Sequence, residues 1–182
     1  MTQKILLPIC VILITPLSLF AADNLNSGII YGSEVALMVS APEGWVFNDT
    51  SGLAMGINVM MYPIGSSMNN LTTMMYIRIT EENIKPLYQF IEEDVQIFKN
   101  EKPKIIVQSA DPISMNGGDT VYVKLFSGVR ETDHECVAYI AKGKSVVLFV
   151  LTCTTQENFK KNLAIYRSMI RDSQLLEMKL IR

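Results

Sequence analysis

Two hydrophobic periods alternate along this 182-residue chain, one of two residues and one near 3.6, and their order carries the fold. Ahead of both stands a different pattern. After Lys4, the apolar run Ile5 to Phe20 carries no charge and ends in Ala21-Ala22 before the polar Asp23-Asn24. A basic start, an apolar stretch and a small-residue exit read as a secretory signal peptide, residues 1–22. Pro8 and Pro16 interrupt the run and no stop-transfer charges follow, which argues against a membrane anchor. Cys10 lies mid-run after Leu7-Pro8-Ile9, not at its end behind small residues, so a lipoprotein site does not fit. Cutting after Ala21 leaves Leu19 at the third position back and cutting after Ala22 leaves Phe20, so neither bond follows the small-x-small rule well. The mature chain, residues 23–182, is expected to be one domain in a secreted or periplasmic compartment, with no stable membrane span once the leader is cut.

Residues 34–41 alternate as a strand, and Pro42-Glu43-Gly44 supplies a turn before Trp45-Val46-Phe47. Asn48 to Gly52 make a second turn, and 54–62 and 72–80 are β-leaning runs separated by the polar loop Ile64 to Leu71. Four strands are thus predicted before the first helix, which spans about 85–99 with Pro86 in its first turn, where a missing N–H costs nothing. Leu87, Phe90, Ile91, Val95 and Phe98 fall on one face of it, and Glu92, Glu93, Gln96 and Lys99 on the other. Strands at 104–109, 119–127, 134–141 and 145–154 follow, separated by Asn116-Gly117-Gly118-Asp119, by Gly128 to Asp133 and by Lys142-Gly143-Lys144, all with turn chemistry. A second helix opens on Thr154-Thr155-Gln156-Glu157, read as a capping box, and repeats Phe159, Leu163, Tyr166 and Ile170 on one face. The order ββββ-α-ββββ-α with hairpin connections predicts an α+β fold, an antiparallel sheet with two packed amphipathic helices.

Charge narrows the function. The whole chain carries 16 basic and 18 acidic side chains, and removing Lys4 with the leader brings the net from −2 to −3. No basic field exists to hold nucleic acid or an anionic membrane. About 160 residues bury roughly 70% of their unfolded surface, enough for a core without staples.

Chemistry is sparse. Asp133-His134-Glu135-Cys136 holds the single histidine and one of two mature cysteines, and strand geometry puts His134 and Cys136 on one face. A Cys-His pair is the raw material of a thiolate nucleophile, so a small hydrolase or thiol enzyme using His134 and Cys136 is the alternative to a non-catalytic protein. Cys153, however, lies on the partner strand of the same hairpin. Pairing about Gly143-Lys144 sets Cys136 opposite Leu151 with Cys153 diagonal to it, and a shift of two would face the cysteines, so a Cys136–Cys153 disulfide is entertained for an oxidising compartment. The paired ligand spacings of a zinc site are absent, and no cofactor is implied. Met60-Met61 and Met74-Met75 raise a soft-metal site, but adjacent strand residues point to opposite faces, which favours core packing. The residues singled out for partner binding are polar and sit in or beside two loops: Ser66, Ser67, Asn69 and Asn70 in one, Arg130 and His134 in the other.

The strand ending in Ala41-Pro42-Glu43-Gly44-Trp45, the stretch Met61-Tyr62-Pro63-Ile64-Gly65-Ser66-Ser67, the long amphipathic helix, the four-strand meander and the final helix resemble the small secreted bacterial proteins of the PsbP-like and DcrB-like group over roughly residues 33–172. The resemblance implies an αβα sandwich and an assembly, docking or transport-accessory role toward a protein or small ligand, with no catalytic set to carry over. Processing is directly testable. Intact-mass analysis of the secreted protein should show the loss of about 21 or 22 residues, whereas a full-length mass in a purified envelope fraction would make the run an anchor.

Overall fold

The structure, a computed structural model, describes residues 26–67, 70–80, 85–128 and 134–178. The expected leader, residues 1–22, lies outside them. Among the described residues ten strands and two α-helices follow one another as β1 (Ser27–Tyr31), β2 (Val35–Ser40), β3 (Trp45–Asn48), β4 (Val59–Pro63), β5 (Thr73–Thr80), α1 (Leu87–Glu101), β6 (Ile106–Ser114), β7 (Thr120–Ser127), β8 (His134–Lys142), β9 (Ser145–Cys153), α2 (Gln156–Asp172) and β10 (Gln174–Glu177). The α+β class is as the periodicity predicts. Two short strands escape it: β1 and β10 flank β2 in a separate three-stranded sheet, while the other seven pair antiparallel in the order β3-β4-β5-β9-β8-β7-β6. Five strands, not four, therefore precede α1, and a β-strand follows α2.

Local chemistry explains most boundaries. The β8–β9 hairpin closes on Gly143-Lys144, with Lys142 paired to Ser145 and Gly143 at φ +57°, a conformation that favours glycine. At the expected strand 54–62 the chain first makes a 3₁₀ turn, Leu53–Met55, and pairing begins only at Val59. β6 runs on to Ser114 because a register shift between Ala110 and Ile113 lets it pass Pro112, which cannot donate to the ladder. The cap of α2 is one residue later than expected. Thr155 accepts from the Asn158 N–H at 3.2 Å, so Glu157 is not the reciprocal partner, and Thr154 instead donates its backbone N–H to the Thr72 carbonyl at 2.9 Å.

The large sheet is covered on both faces. On one side α1 packs Leu87, Phe90, Ile91, Val95 and Phe98 against Phe126, Val137, Tyr139, Leu148 and Val150. On the other, α2 and the three-stranded sheet share a core with Val59, Met61, Met75, Ile77, Ala138, Phe149 and Leu151. Gly28 lies close under the Phe47 ring: a Cβ there would stand 2.8 Å from its Cζ, so a larger residue requires that half-buried ring to shift. Met60, Met61 and Met75 are buried, and Met61 faces Met75 across the β4–β5 pair, so these thioethers fill core space.

These layers separate core from surface substitutions. Ile170, fully buried on α2, should lose about 2 to 5 kcal/mol on Ile170→Ala through lost transfer energy and a cavity. Glu93 pairs with Lys85 at 2.7 Å, but both side chains are about half exposed, at 57% and 49%. Glu93→Ala should stay within about 0.5 kcal/mol. Urea unfolding of the two variants checks the contrast, and equal losses would contradict the layer assignment.

Candidate functional site

Register brings the strand ends that border the two expected binding segments to the same end of the large sheet. Thr73 opens β5 opposite Cys153, the last residue of β9, and Cys153 faces His134, the first residue of β8. The segment from Ile64 to Thr72 and the segment entering His134 therefore leave one edge of the same three strands, beside the β9–α2 connection. Within the first loop the Ser67 N–H and hydroxyl each donate to Asn70 Oδ1 at 2.9 Å, and the Ser66 N–H donates to the Pro63 carbonyl at 3.1 Å. These bonds shape the loop from within and leave Ser67 and Asn70 exposed. Asn69 and Arg130 lie outside the described residues.

His134 stands opposite Cys153 across the β8–β9 pair and not beside Cys136. Its ring sits against Phe159 of α2, centroids 5.8 Å apart. Cys136 is two residues along the same face, about 6.8 Å by strand rise, against the roughly 3 Å that a nucleophile and its base require. The Cys136 thiol is fully buried. Burial pushes its pKa up to about 12, only partly opposed by the Tyr166 hydroxyl beside it. That hydroxyl donates to the Phe149 carbonyl at 2.7 Å, anchoring α2 to the sheet at the same point. Cys153 is also buried and its pKa raised by burial, with the Thr73 hydroxyl opposing.

The disulfide requires correction, because Cys136 and Cys153 are free thiols. The pairing is the unshifted one, Cys136 opposite Leu151 and Cys153 opposite His134. Diagonal neighbours in an antiparallel pair stand about 7 to 8 Å apart, beyond the roughly 4.4 to 6.8 Å Cα separation that a bridge spans.

A second group of residues, on the opposite face, was not anticipated. Asp94 sits on α1 four residues after Phe90 and four before Phe98, inside the apolar stripe, and Tyr139 of β8 donates its hydroxyl to Asp94 Oδ2 at 2.6 Å. Burial raises the Asp94 pKa, with the Tyr139 hydrogen bond and Arg78 opposing. Asp94 lines a cavity of about 190 Å³ with Tyr76, Arg78, Phe98, Glu135 and Val137 among its walls. The signal was present in the sequence: a carboxylate at a position whose helical neighbours i−4 and i+4 are both phenylalanine. A larger cleft of about 480 Å³ lies between the Ala41-Pro42-Glu43 turn and Ile165, Met169 and Asp172 of α2. Among the described residues no group of three or more His, Cys, Asp or Glu side chains stands close enough to hold a metal ion, and no helix is long and apolar enough to cross a membrane.

No protein-family model matches the chain, and no curated protein matches it in sequence. Solved structures do. Cyanobacterial PsbP (CyanoP) from Synechocystis sp. PCC 6803 superposes with a TM-score of 0.53 at 11% identity, covering 84% of this chain and 94% of that one. LpqN, described as involved in cell envelope biogenesis of Mycobacterium tuberculosis, gives 0.50 at 11% identity, covering 84% and 91%. The fold is PsbP-like. A PsbP-like fold shared at this identity transfers architecture, so the roles of His134, Cys136 and Asp94 rest on their own surroundings.

Those surroundings make the thiols inert in the native protein. An aromatic disulfide reagent should react with neither Cys136 nor Cys153 before unfolding, and with two thiols per mature chain in denaturant without reductant. Rapid native reaction would contradict their burial, and fewer than two thiols in denaturant would restore the bridge.

Proposed function

We propose that the protein is a secreted or periplasmic, non-catalytic binding or accessory protein that takes its partner at the loop end of the large sheet. The observation that supports this best is the row Thr73, Cys153 and His134 across β5, β9 and β8, which brings together strand ends from opposite halves of the chain. Rigid sheets that present adaptable loops at one end are a recurrent arrangement for recognition. The PsbP-like fold is compatible with an accessory role, and LpqN is itself described as involved in cell envelope biogenesis. The thiol-enzyme alternative needs a Cys136 thiolate near a base, and burial of Cys136 with His134 stacked on Phe159 counts against it.

The test is capture by the tagged mature protein from its native envelope fraction, repeated with Asn69→Ala and Arg130→Ala combined. The double variant should lose the captured partner while its melting temperature barely moves, since loop substitutions of this kind stay within about 0.5 kcal/mol. Undiminished capture would eliminate these loops as the docking site.

A further inference from the structure

Among the described residues four strands stand at the outside of a sheet, β1 and β10 in the small one and β3 and β6 in the large one. An outer strand presents a row of backbone N–H and C=O groups to any further strand, and proteins guard such rows with charge, proline, irregular pairing or brevity. β6 carries Pro112 and a register shift, and Arg167 donates to the Asp111 and Pro112 carbonyls at 3.1 and 3.2 Å. In the four-residue β3 the Trp45 N–H is taken by the Pro42 carbonyl at 3.0 Å. β10, also of four residues, ends on the exposed Glu177.

β1 has no such guard. Ser27-Gly28-Ile29-Ile30-Tyr31 contains no charge and no proline, and its pairing with β2 runs without a shift. That ladder is bracketed by two bonds, from the Ala41 N–H to the Asn26 carbonyl at 2.7 Å and from the Gly32 N–H to the Val35 carbonyl at 2.8 Å. Even-numbered residues therefore exchange bonds with β2, and alternation turns the N–H and C=O groups of Ser27, Ile29 and Tyr31 to the outer edge. The same residues point their side chains away from the core. Ile29 and Tyr31 are 48% and 64% exposed, and Ile29 pairs with the exposed Met38.

Three evenly spaced residues of this kind are complementary to a copy of themselves. Antiparallel pairing about a two-fold axis at Ile29 sets Ile29 opposite Ile29 of the second copy and Ser27 opposite its Tyr31, and engages every outward group of both strands. Sliding by two residues leaves Ser27 without a partner from the row. In the centred register a large side chain meets a small one in both directions, and no charge faces a like charge. Each Tyr31 ring then lies over Ser27 of the other copy, at the mouth of a hollow of about 260 Å³ whose walls include Ser27, Met38, Ser40, Asp172 and Gln174.

We infer that β1 is the contact strand of a symmetric homodimer in which the two small sheets join into one of six strands. The occupant is a second copy because one register satisfies all the outward groups and fills the hollow twice. Three residues a side with their neighbours bury less than the roughly 1,000 Å² of a permanent interface, so the dimer is reversible, with a dissociation constant on the order of 100 µM. This surface lies on the small sheet and does not rest on the loop-end reading.

Sedimentation velocity of the mature protein from about 10 µM to about 1 mM should show monomer giving way to dimer. Ile29→Lys, which brings two ammonium groups together at the axis from an exposed position, should weaken association at least about tenfold while the melting temperature stays unchanged. The register has a readout of its own. Ile29 and its symmetry mate stand about 5.5 Å apart between Cα atoms, within the span that a disulfide bridges, whereas the two Tyr31 residues stand about 14 Å apart. Ile29→Cys should therefore oxidise to a covalent dimer, Tyr31→Cys alone should not, and Tyr31→Cys mixed with Ser27→Cys should give the cross-linked heterodimer. Monomer up to about 1 mM, a dimer that Ile29→Lys leaves intact, or equal cross-linking of Ile29→Cys and Tyr31→Cys would each overturn the pairing. So would protection of the Ile29 amide from hydrogen exchange that is independent of concentration, the mark of a segment of the same chain on this edge, or that comes only with added envelope extract, the mark of a foreign strand.

Discussion

Strand β9 has no face to offer water. From Ser145 to Leu151 every residue is buried, because β9 lies between β5 and β8 with α1 over one face and α2 with the small sheet over the other. Its alternate side chains, Val147, Phe149 and Leu151 on one side and Val146, Leu148 and Val150 on the other, are the floor of both cores. A strand buried on both sides reads as a continuous apolar run. Covering both faces of it is the demand to which the two helices, the extra sheet and the short hairpins all respond.

The manner of covering differs on the two sides, and the candidate sites follow from that difference. On the α2 side two elements share the work, and the layer is dense enough to enclose Cys136, Cys153 and the Tyr166 hydroxyl without access for solvent. Reactive groups there become packing groups, because burial disfavours the thiolate. On the α1 side a single helix must shelter the face. The four-residue spacing from Phe90 and Phe98 brings Asp94 to the sheet, and Phe98, Tyr76 and Val150 line a cavity beside it.

The antiparallel pairing accounts for the loop end as well. Each hairpin returns the chain to the edge it left, so connections far apart in sequence gather at one end of the sheet. The loop from Ile64 and the entry to His134 are separated by α1 and three strands, yet Thr73, Cys153 and His134 form one row across β5, β9 and β8.

Much of this architecture was legible in the residue pattern. The strand-like runs at 72–80, 119–127, 134–141 and 145–154, the two helical stripes and the turn at Gly143-Lys144 are local signals, and of the two β8–β9 registers the sequence left open the structure has the unshifted one, with the cysteines diagonal. β1 and β10 were not legible, since five and four residues are too short to establish a period and their pairing with β2 is a long-range contact. Nor was the state of the thiols, because the choice between bridge and buried thiol depends on distance and enclosure contributed by α2. Asp94 belongs to both accounts. The sequence alone determined that a carboxylate lies on the apolar stripe of α1, since helical geometry is a property of the segment. Only the tertiary structure decided that this carboxylate meets Tyr139, Tyr76 and Arg78 around a cavity, because those side chains come from strands that assembly of the sheet, and nothing local, brings beneath the helix.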